Sequence, residues 1–236
     1  MAVEVDIKAL LEAGVHFGHK TSRWHPKMAP YIHSKRQESH IIDLVQTVDG
    51  LEKALGFITA TVAGGKQVLL VGTKRQAKDI VKVTAEKVGQ PYVTERWMGG
   101  MLTNVTTVTG RIKQLKSLEK RMDSGELANR YNKLEVQRFQ EEIDDLNSKY
   151  GGIKDLNGKP GAIFVTDVIE DANAVREANK LGVPVIAMVD TNANPAGIDY
   201  VIPANDDAIK GIQLILDYVA AAVEEGKNSK DKKEGK

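Results

Sequence analysis

The sequence predicts an α/β fold: a mostly parallel sheet covered by helices on both faces and interrupted once by a helical hairpin. Three observations carry this. Gln67-Val68-Leu69-Leu70-Val71 is a continuous apolar run bounded by turn residues, the mark of a strand buried on both faces. Strand-like and helix-like segments alternate up to about residue 104 and again after residue 150. Between those blocks lie two apolar seams of coiled-coil spacing.

In chain order, the segment from Ala13 to Gln37 is kept out of regular helix, because Pro26 and Pro30 each remove a backbone donor and bias their neighbours to extended geometry. His40-Ile41-Ile42-Asp43-Leu44 is a short candidate strand. Thr47 to Val62 has helical spacing through Val48, Leu51, Leu55, Ile58 and Val62, ended by Gly64-Gly65. After the 67–71 strand, a helix is expected over Gln76 to Lys87, stopping at Gly89 before short Pro91-Tyr92-Val93.

Val105, Val108, Ile112, Leu115, Leu118 and Met122 then fall at spacings of 3, 4, 3, 3 and 4. Val136, Phe139, Ile143, Leu146 and Tyr150 fall at 3, 4, 3 and 4. These are two helical arms joined around Asp123-Ser124-Gly125; an arm of about 18 residues would reach roughly 27 Å. The first arm is basic, with five cations against Glu119 between Arg111 and Arg121, and the second is acidic at Glu141, Glu142, Asp144 and Asp145. Such charges suit either pairing between solvated faces or docking.

The alternation resumes with a strand at Ala162 to Thr166, a helix at Ala172 to Leu181, a strand at Val185 to Val189, a short strand at Tyr200-Val201-Ile202 and a helix at Asp206 to Glu225. The expected organisation is an α/β body of residues 1–104 plus 151–225, with a basic arm over about 1–37, a coiled-coil hairpin inserted at 105–150, and a disordered basic tail at 226–236.

Composition excludes several function classes. The 236 residues contain no cysteine, which removes thiolate catalysis, disulfides and cysteine zinc sites. No apolar stretch approaches the ~18 residues of a membrane span. The start Met1-Ala2-Val3-Glu4 lacks a secretion pattern, so a cytoplasmic protein is expected. The net charge of +1 conceals a strong asymmetry. Between Ala13 and Gln37 stand Lys20, Arg23, Lys27, Lys35 and Arg36 with no carboxylate, interleaved with Phe17, Trp24 and Tyr31, and with four of the five histidines. Cations mixed with aromatics on an extended arm suit a polyanion with stackable bases. The alternative is a strap whose aromatics pack on the core. His16 and His19 form an H-x-x-H pair, but no acid or cysteine lies close in sequence to complete a metal shell, so no metal site is expected.

Arg96-Trp97-Met98-Gly99-Gly100-Met101-Leu102-Thr103-Asn104 places an arginine and a tryptophan before two glycines and a Thr/Asn helix start. Arg96 can bond phosphate, Trp97 can stack on a base or anchor in the core, and bare glycine backbone permits close approach.

An enzyme is the natural alternative for this architecture. The turn Gly72-Thr73-Lys74-Arg75 occupies the place of a phosphate loop and is where a nucleotide- or sugar-phosphate-binding enzyme would act. No two of the 21 glycines are two residues apart, so G-x-G-x-x-G cannot occur, and there is no Gly-Lys-Ser or Gly-Lys-Thr. Asp167, Asp190, Asp206 and Asp207 fit N-caps and turns better than catalysis. Lys74 and Arg75 are left as positive charge suited to a phosphate backbone. No catalytic residue and no cofactor is expected.

Several blocks together resemble the family of bacterial small-ribosomal-subunit proteins number two. They are Glu12 to His19, Trp24 with Pro26-Lys27-Met28, Tyr31-Ile32, His40 to Leu44, Val71 to Gln76, Arg96 to Asn104, Gly151 to Lys154, Glu177 to Gly182, Val189 to Asn192 and Asn205 to Ala208. The resemblance runs from about residue 5 to 223 and departs at Thr166, Asn194 and Ala204. It implies a flavodoxin-like (Rossmann-type) three-layer body with a protruding coiled-coil hairpin. It also implies a structural constituent of the small ribosomal subunit that binds ribosomal RNA and helps dock the large, messenger-binding first protein, with no membrane and no small-molecule substrate. The residues expected at RNA are Arg23, Trp24, Lys27, Lys74, Arg75, Arg96 and Trp97, with Arg111 and Lys113 on the hairpin. A pure protein-docking adaptor working through the hairpin is the third possibility.

Overall fold

The computed structural model describes the backbone of residues 5–234, and side chains within it as far as residue 230. The chain runs α1 (Ile7–Glu12), β1 (Phe17–Lys20), β2 (Ile32–Arg36), β3 (Ser39–Ile42), α2 (Leu44–Ala63), β4 (Val68–Val71), α3 (Lys78–Lys87) and β5 (Tyr92–Val93). It continues through α4 (Val105–Asp123), α5 (Glu126–Arg130), α6 (Lys133–Tyr150), β6 (Ala162–Val165), α7 (Ala172–Leu181), β7 (Val185–Val189), β8 (Tyr200–Pro203) and α8 (Ile209–Glu234).

Five strands form one parallel sheet in the order β5-β4-β6-β7-β8. Successive side chains point to opposite faces, so each apolar run feeds two cores. Val68, Leu70, Ala162, Phe164, Ile186 and Met188 join α1, α2, α3 and α8 on one side. Leu69, Val71, Ile163, Val165, Val185 and Ala187 join α7 and the inner parts of α4 and α6 on the other. Strands β4, β6 and β7 are buried throughout, as continuous apolar runs require.

Three expectations change. The arm is not merely extended: β1, β3 and β2 form a separate antiparallel sheet, and the segment expected as a strand at 40–44 belongs to it rather than to the parallel sheet. The β2–β3 hairpin turns at Gln37 and Glu38, both at positive φ (45° and 66°). Neither is the glycine or asparagine that usually marks such a turn, so no local signal announces it.

The tail does not begin at 226, because α8 continues to Glu234. Gly226 lets α8 lie close on α2, since an added Cβ would meet the Thr59 carbonyl at 2.8 Å, and Lys227 Nζ donates to the Val88 carbonyl at 2.6 Å. Residues 1–4 of the expected arm and 235–236 of the expected tail lie outside the described residues.

Where two helical arms were expected, the insertion has three helices, with α5 between α4 and α6. Asn132 and Glu135 start α6 with a reciprocal capping box. Leu115, Leu118, Ile143, Leu146 and Tyr150 close the two arms onto the second core, whereas Val105, an expected seam residue, is 60% exposed. Among the described residues, no helix is long and apolar enough to cross a membrane.

Candidate nucleic-acid interface

The arm folds as a strap pinned at a few points. Met28 is fully buried in the second core. The His25 amide donates to the Thr191 carbonyl at 2.7 Å, and the His19 amide donates to Thr191 Oγ1 at 2.9 Å. Gln46 Nε2 donates to the Pro30 carbonyl at 2.6 Å. What remains outside is the basic set: Lys20, Arg23, Lys27, Lys35 and Arg36 are exposed, and none has an ion-pair partner among the described residues. Phe17 and Trp24 are 51% and 39% exposed, and the Trp24 ring leans on His40 with centroids 5.4 Å apart. The strap thus presents unpaired cations, among the described residues, beside partly exposed aromatic rings, a combination suited to a phosphate backbone with stackable bases.

The turn after β4 behaves differently. Lys74 Nζ lies 2.7 Å from Asp206, 2.7 Å from Asp207 and 3.1 Å from Asp167. Burial works against its charge, but the Asp206, Asp207 and Asp167 carboxylates outweigh it, and its pKa is raised. Lys74, expected at RNA, is thus engaged by the body's own carboxylates; Arg75 beside it is exposed and unpaired among the described residues.

The same geometry argues against a phosphate loop. Thr73 donates through both its amide and Oγ1 to Asp171, at 3.2 and 2.9 Å, so the donors that would cradle a phosphate already hold a carboxylate. Burial pushes Asp171 up to about 6. Burial, with Asp167 and Asp190 nearby, pushes Asp206 up to about 7, because one ammonium shared among three carboxylates does not neutralise them all. Asp167 caps the next turn by accepting from the Ile169 and Glu170 amides at 2.7 and 3.1 Å.

His19 ties the strap to this cluster, with Nδ1 3.1 Å from Asp190 and Nε2 3.4 Å from Asp207. The hydrogen bond to Asp190 outweighs burial and raises its pKa. His19, Asp206 and Asp207 bring one donor atom each within 4.8 Å of one another, a set that could hold a cation. The group differs from the H-x-x-H pair of the sequence, since the His16 ring packs on Phe17 instead.

The Arg96–Asn104 segment closes around Glu177 of α7. One carboxylate oxygen accepts from Trp97 Nε1 at 3.1 Å and the Gly100 amide at 2.7 Å. The other accepts from the Leu102 amide at 3.0 Å, the Thr103 amide at 3.1 Å and Thr103 Oγ1 at 3.1 Å. Burial raises the Glu177 pKa, but these donors outweigh it and the net shift is downward. Gly100 sits at φ +89°, the left-handed region that favours glycine. Trp97 is 6% exposed in the second core, so it anchors the loop and offers no face to a base. Of the two readings of Trp97 in the sequence, its burial favours the core anchor over base stacking. Arg96 beside it is exposed and free of ion pairs among the described residues. On α4, Lys113 is exposed, and among the described residues Arg111 donates to Gln114, at 3.0 Å.

Sequence reasoning did not single out Glu177 as a site residue. Its partners lie 74 to 80 residues away along the chain, so no local pattern carries the pairing.

The model of the ribosomal protein S2 family matches residues 10–226 of this chain. The small ribosomal subunit protein uS2 of Roseiflexus sp. (strain RS-1) is 50% identical over 96% of this chain and 86% of its own length. That of Chloroflexus aggregans is 51% identical over 94% of this chain and 93% of its own. The Rhodospirillum rubrum protein is 48% identical over 93% of this chain and 84% of its own.

Proposed function

This chain belongs to the ribosomal protein S2 family, and on that premise we propose that it holds its place in the small subunit by gripping ribosomal RNA with its strap. It is a structural constituent of the small ribosomal subunit and not an enzyme. The observation that carries the RNA proposal is the set of exposed, unpaired cations around open aromatic faces on residues 17–36. Arg23 and Lys27 contact phosphate, and Trp24 stacks on an unpaired base. Arg75 and Arg96 extend the contact along the body, and Arg111 and Lys113 extend it onto α4. Affinity then comes from phosphate contacts and counterion release, with RNA shape deciding placement.

Counted along the parallel sheet alone, the strand order is second-first-third-fourth-fifth, the order of flavodoxin-like folds, which supports that finer description of the body. The hairpin is the surface we assign to neighbouring small-subunit proteins, among them the large messenger-binding first protein, in a cytoplasmic ribosome. The enzyme alternative loses its ground, since the turn at Gly72–Arg75 is filled by Asp171 and by the carboxylates on Lys74.

The test is sedimentation of the full chain with small subunits at low and high monovalent salt. Co-migration that fades as salt rises supports phosphate contacts. Retention at high salt assigns the grip to shape and protein contacts, and migration at the top of the gradient under both conditions defeats the proposal.

A further inference from the structure

We infer that Glu177 is a positioning residue for the RNA interface, acting through Arg96; this rests on the proposed role of Arg96 at phosphate. The loop from Arg96 to Asn104 makes a concavity of amide donors of the kind that binds anions. Here the anion is the protein's own. Glu177 takes three amides (Gly100, Leu102 and Thr103), one hydroxyl and one indole N–H, with every distance between 2.7 and 3.1 Å. A carboxylate has room for about four lone-pair contacts, so this one is saturated. Those three amides are therefore already spent on a carboxylate and not offered to a phosphate.

What it offers instead is direction. Trp97 is clamped between the second core and Glu177, and Arg96 is bonded directly to it. With Trp97 held in the core, Arg96, its neighbour in the chain, stands exposed at the surface. The same clamp sets the hairpin root. The Asn104 amide donates to the Gly100 carbonyl at 2.7 Å, and Asn104 Oδ1 accepts from the Thr107 amide in the first turn of α4. A long arginine on an unfixed loop would lose side-chain and backbone freedom on binding; on a fixed one much of that ordering is already done.

Glu177→Gln is the direct test. It keeps one acceptor oxygen but turns an amide NH2 toward two of the loop's donors. The full-length parent, R96A, E177Q and the double variant are each bound to small subunits salt-washed free of this protein, across a salt series, with fold and loop protection followed by circular dichroism and amide exchange. The expectation is that R96A and E177Q each weaken binding about tenfold, as for loss of one charged contact, and each lower the salt slope by roughly 0.7–0.9. The double variant then binds no worse than R96A.

E177Q that binds like the parent, while R96A is defective, overturns the positioning role and leaves the RNA proposal standing. Additive losses in the double variant also overturn it, because Glu177 then acts elsewhere. R96A that binds like the parent removes Arg96 from the interface and the positioning role with it. If E177Q does not fold, Thr103→Val, which deletes one of the five bonds, carries the same comparison against R96A.

Discussion

Replacing Lys74 with methionine separates a structural lysine from an RNA contact, and its cost can be worked from the geometry. The ammonium faces three carboxylates at 2.7, 2.7 and 3.1 Å, with the Lys74 side chain 15% exposed. Asp207 is 49% exposed and contributes little after solvent screening, so the weight falls on Asp206 (2%) and Asp167 (6%). Methionine keeps the volume and removes the charge, leaving two buried carboxylates uncompensated. Breaking a buried pair in this way costs about 3–5 kcal/mol. For a chain of this size that is a fall in Tm of roughly 6–20 °C.

The loss depends on pH, and its sign follows from Asp206. Its folded pKa of about 7 lies above the ordinary carboxylate value, so ionising it costs stability as pH rises toward 7. Without Lys74 that pKa rises further, and the penalty grows from pH 5.5 to pH 8. Lys74 itself has a raised pKa and stays charged throughout this window, so it adds no slope of its own. Urea unfolding at both pH values, followed by far-UV circular dichroism, measures the difference. A loss below about 1 kcal/mol at pH 8, or one equal at both pH values, refutes the burial argument. Unchanged stability with a salt-dependent loss of subunit binding would return Lys74 to the RNA surface.

The two tryptophans should divide in the same manner. Trp97→Ala opens the second core and should cost about 3–5 kcal/mol in urea unfolding, whereas Trp24→Ala should change stability little and weaken small-subunit co-sedimentation. Equal effects of the two on stability would contradict the assignment. Gly50 tests the seating of α2 on β8: an added Cβ would meet the Val201 carbonyl, so Gly50→Ala should destabilise by about 1–3 kcal/mol despite its better helix propensity. A more stable variant in a thermal melt would show that α2 can shift without cost.

The elements that the sequence made legible share a physical cause. The run at 67–71 and the helix at Ala172–Leu181 are specified by local apolar pattern, and each appears within a residue or two of its expected bounds. The strap's sheet was not legible, because Pro26 and Pro30 break its pattern and its hairpin turn at Gln37-Glu38 lacks the usual residues. The basic strap was visible as a carboxylate-free run, and the structure leaves its cations exposed. Tail composition misled for a different reason, since lysines at the end of an amphipathic helix look like disorder until Lys227 finds the Val88 carbonyl.

By itself, then, the sequence determined the alternating α/β order, the presence of a helical insertion and the place of its carboxylate-free basic run, because each is written in residues close along the chain. The tertiary structure alone decided which of the singled-out side chains are free to meet a partner. Lys74 and Arg75 are adjacent, as are Arg96 and Trp97, yet one of each pair is consumed by a partner on a distant element. Lys74 meets Asp206 across 132 residues and Trp97 meets Glu177 across 80. A charge or ring is spent or available according to what the fold brings within about 3 Å of it, and no local pattern carries that distance.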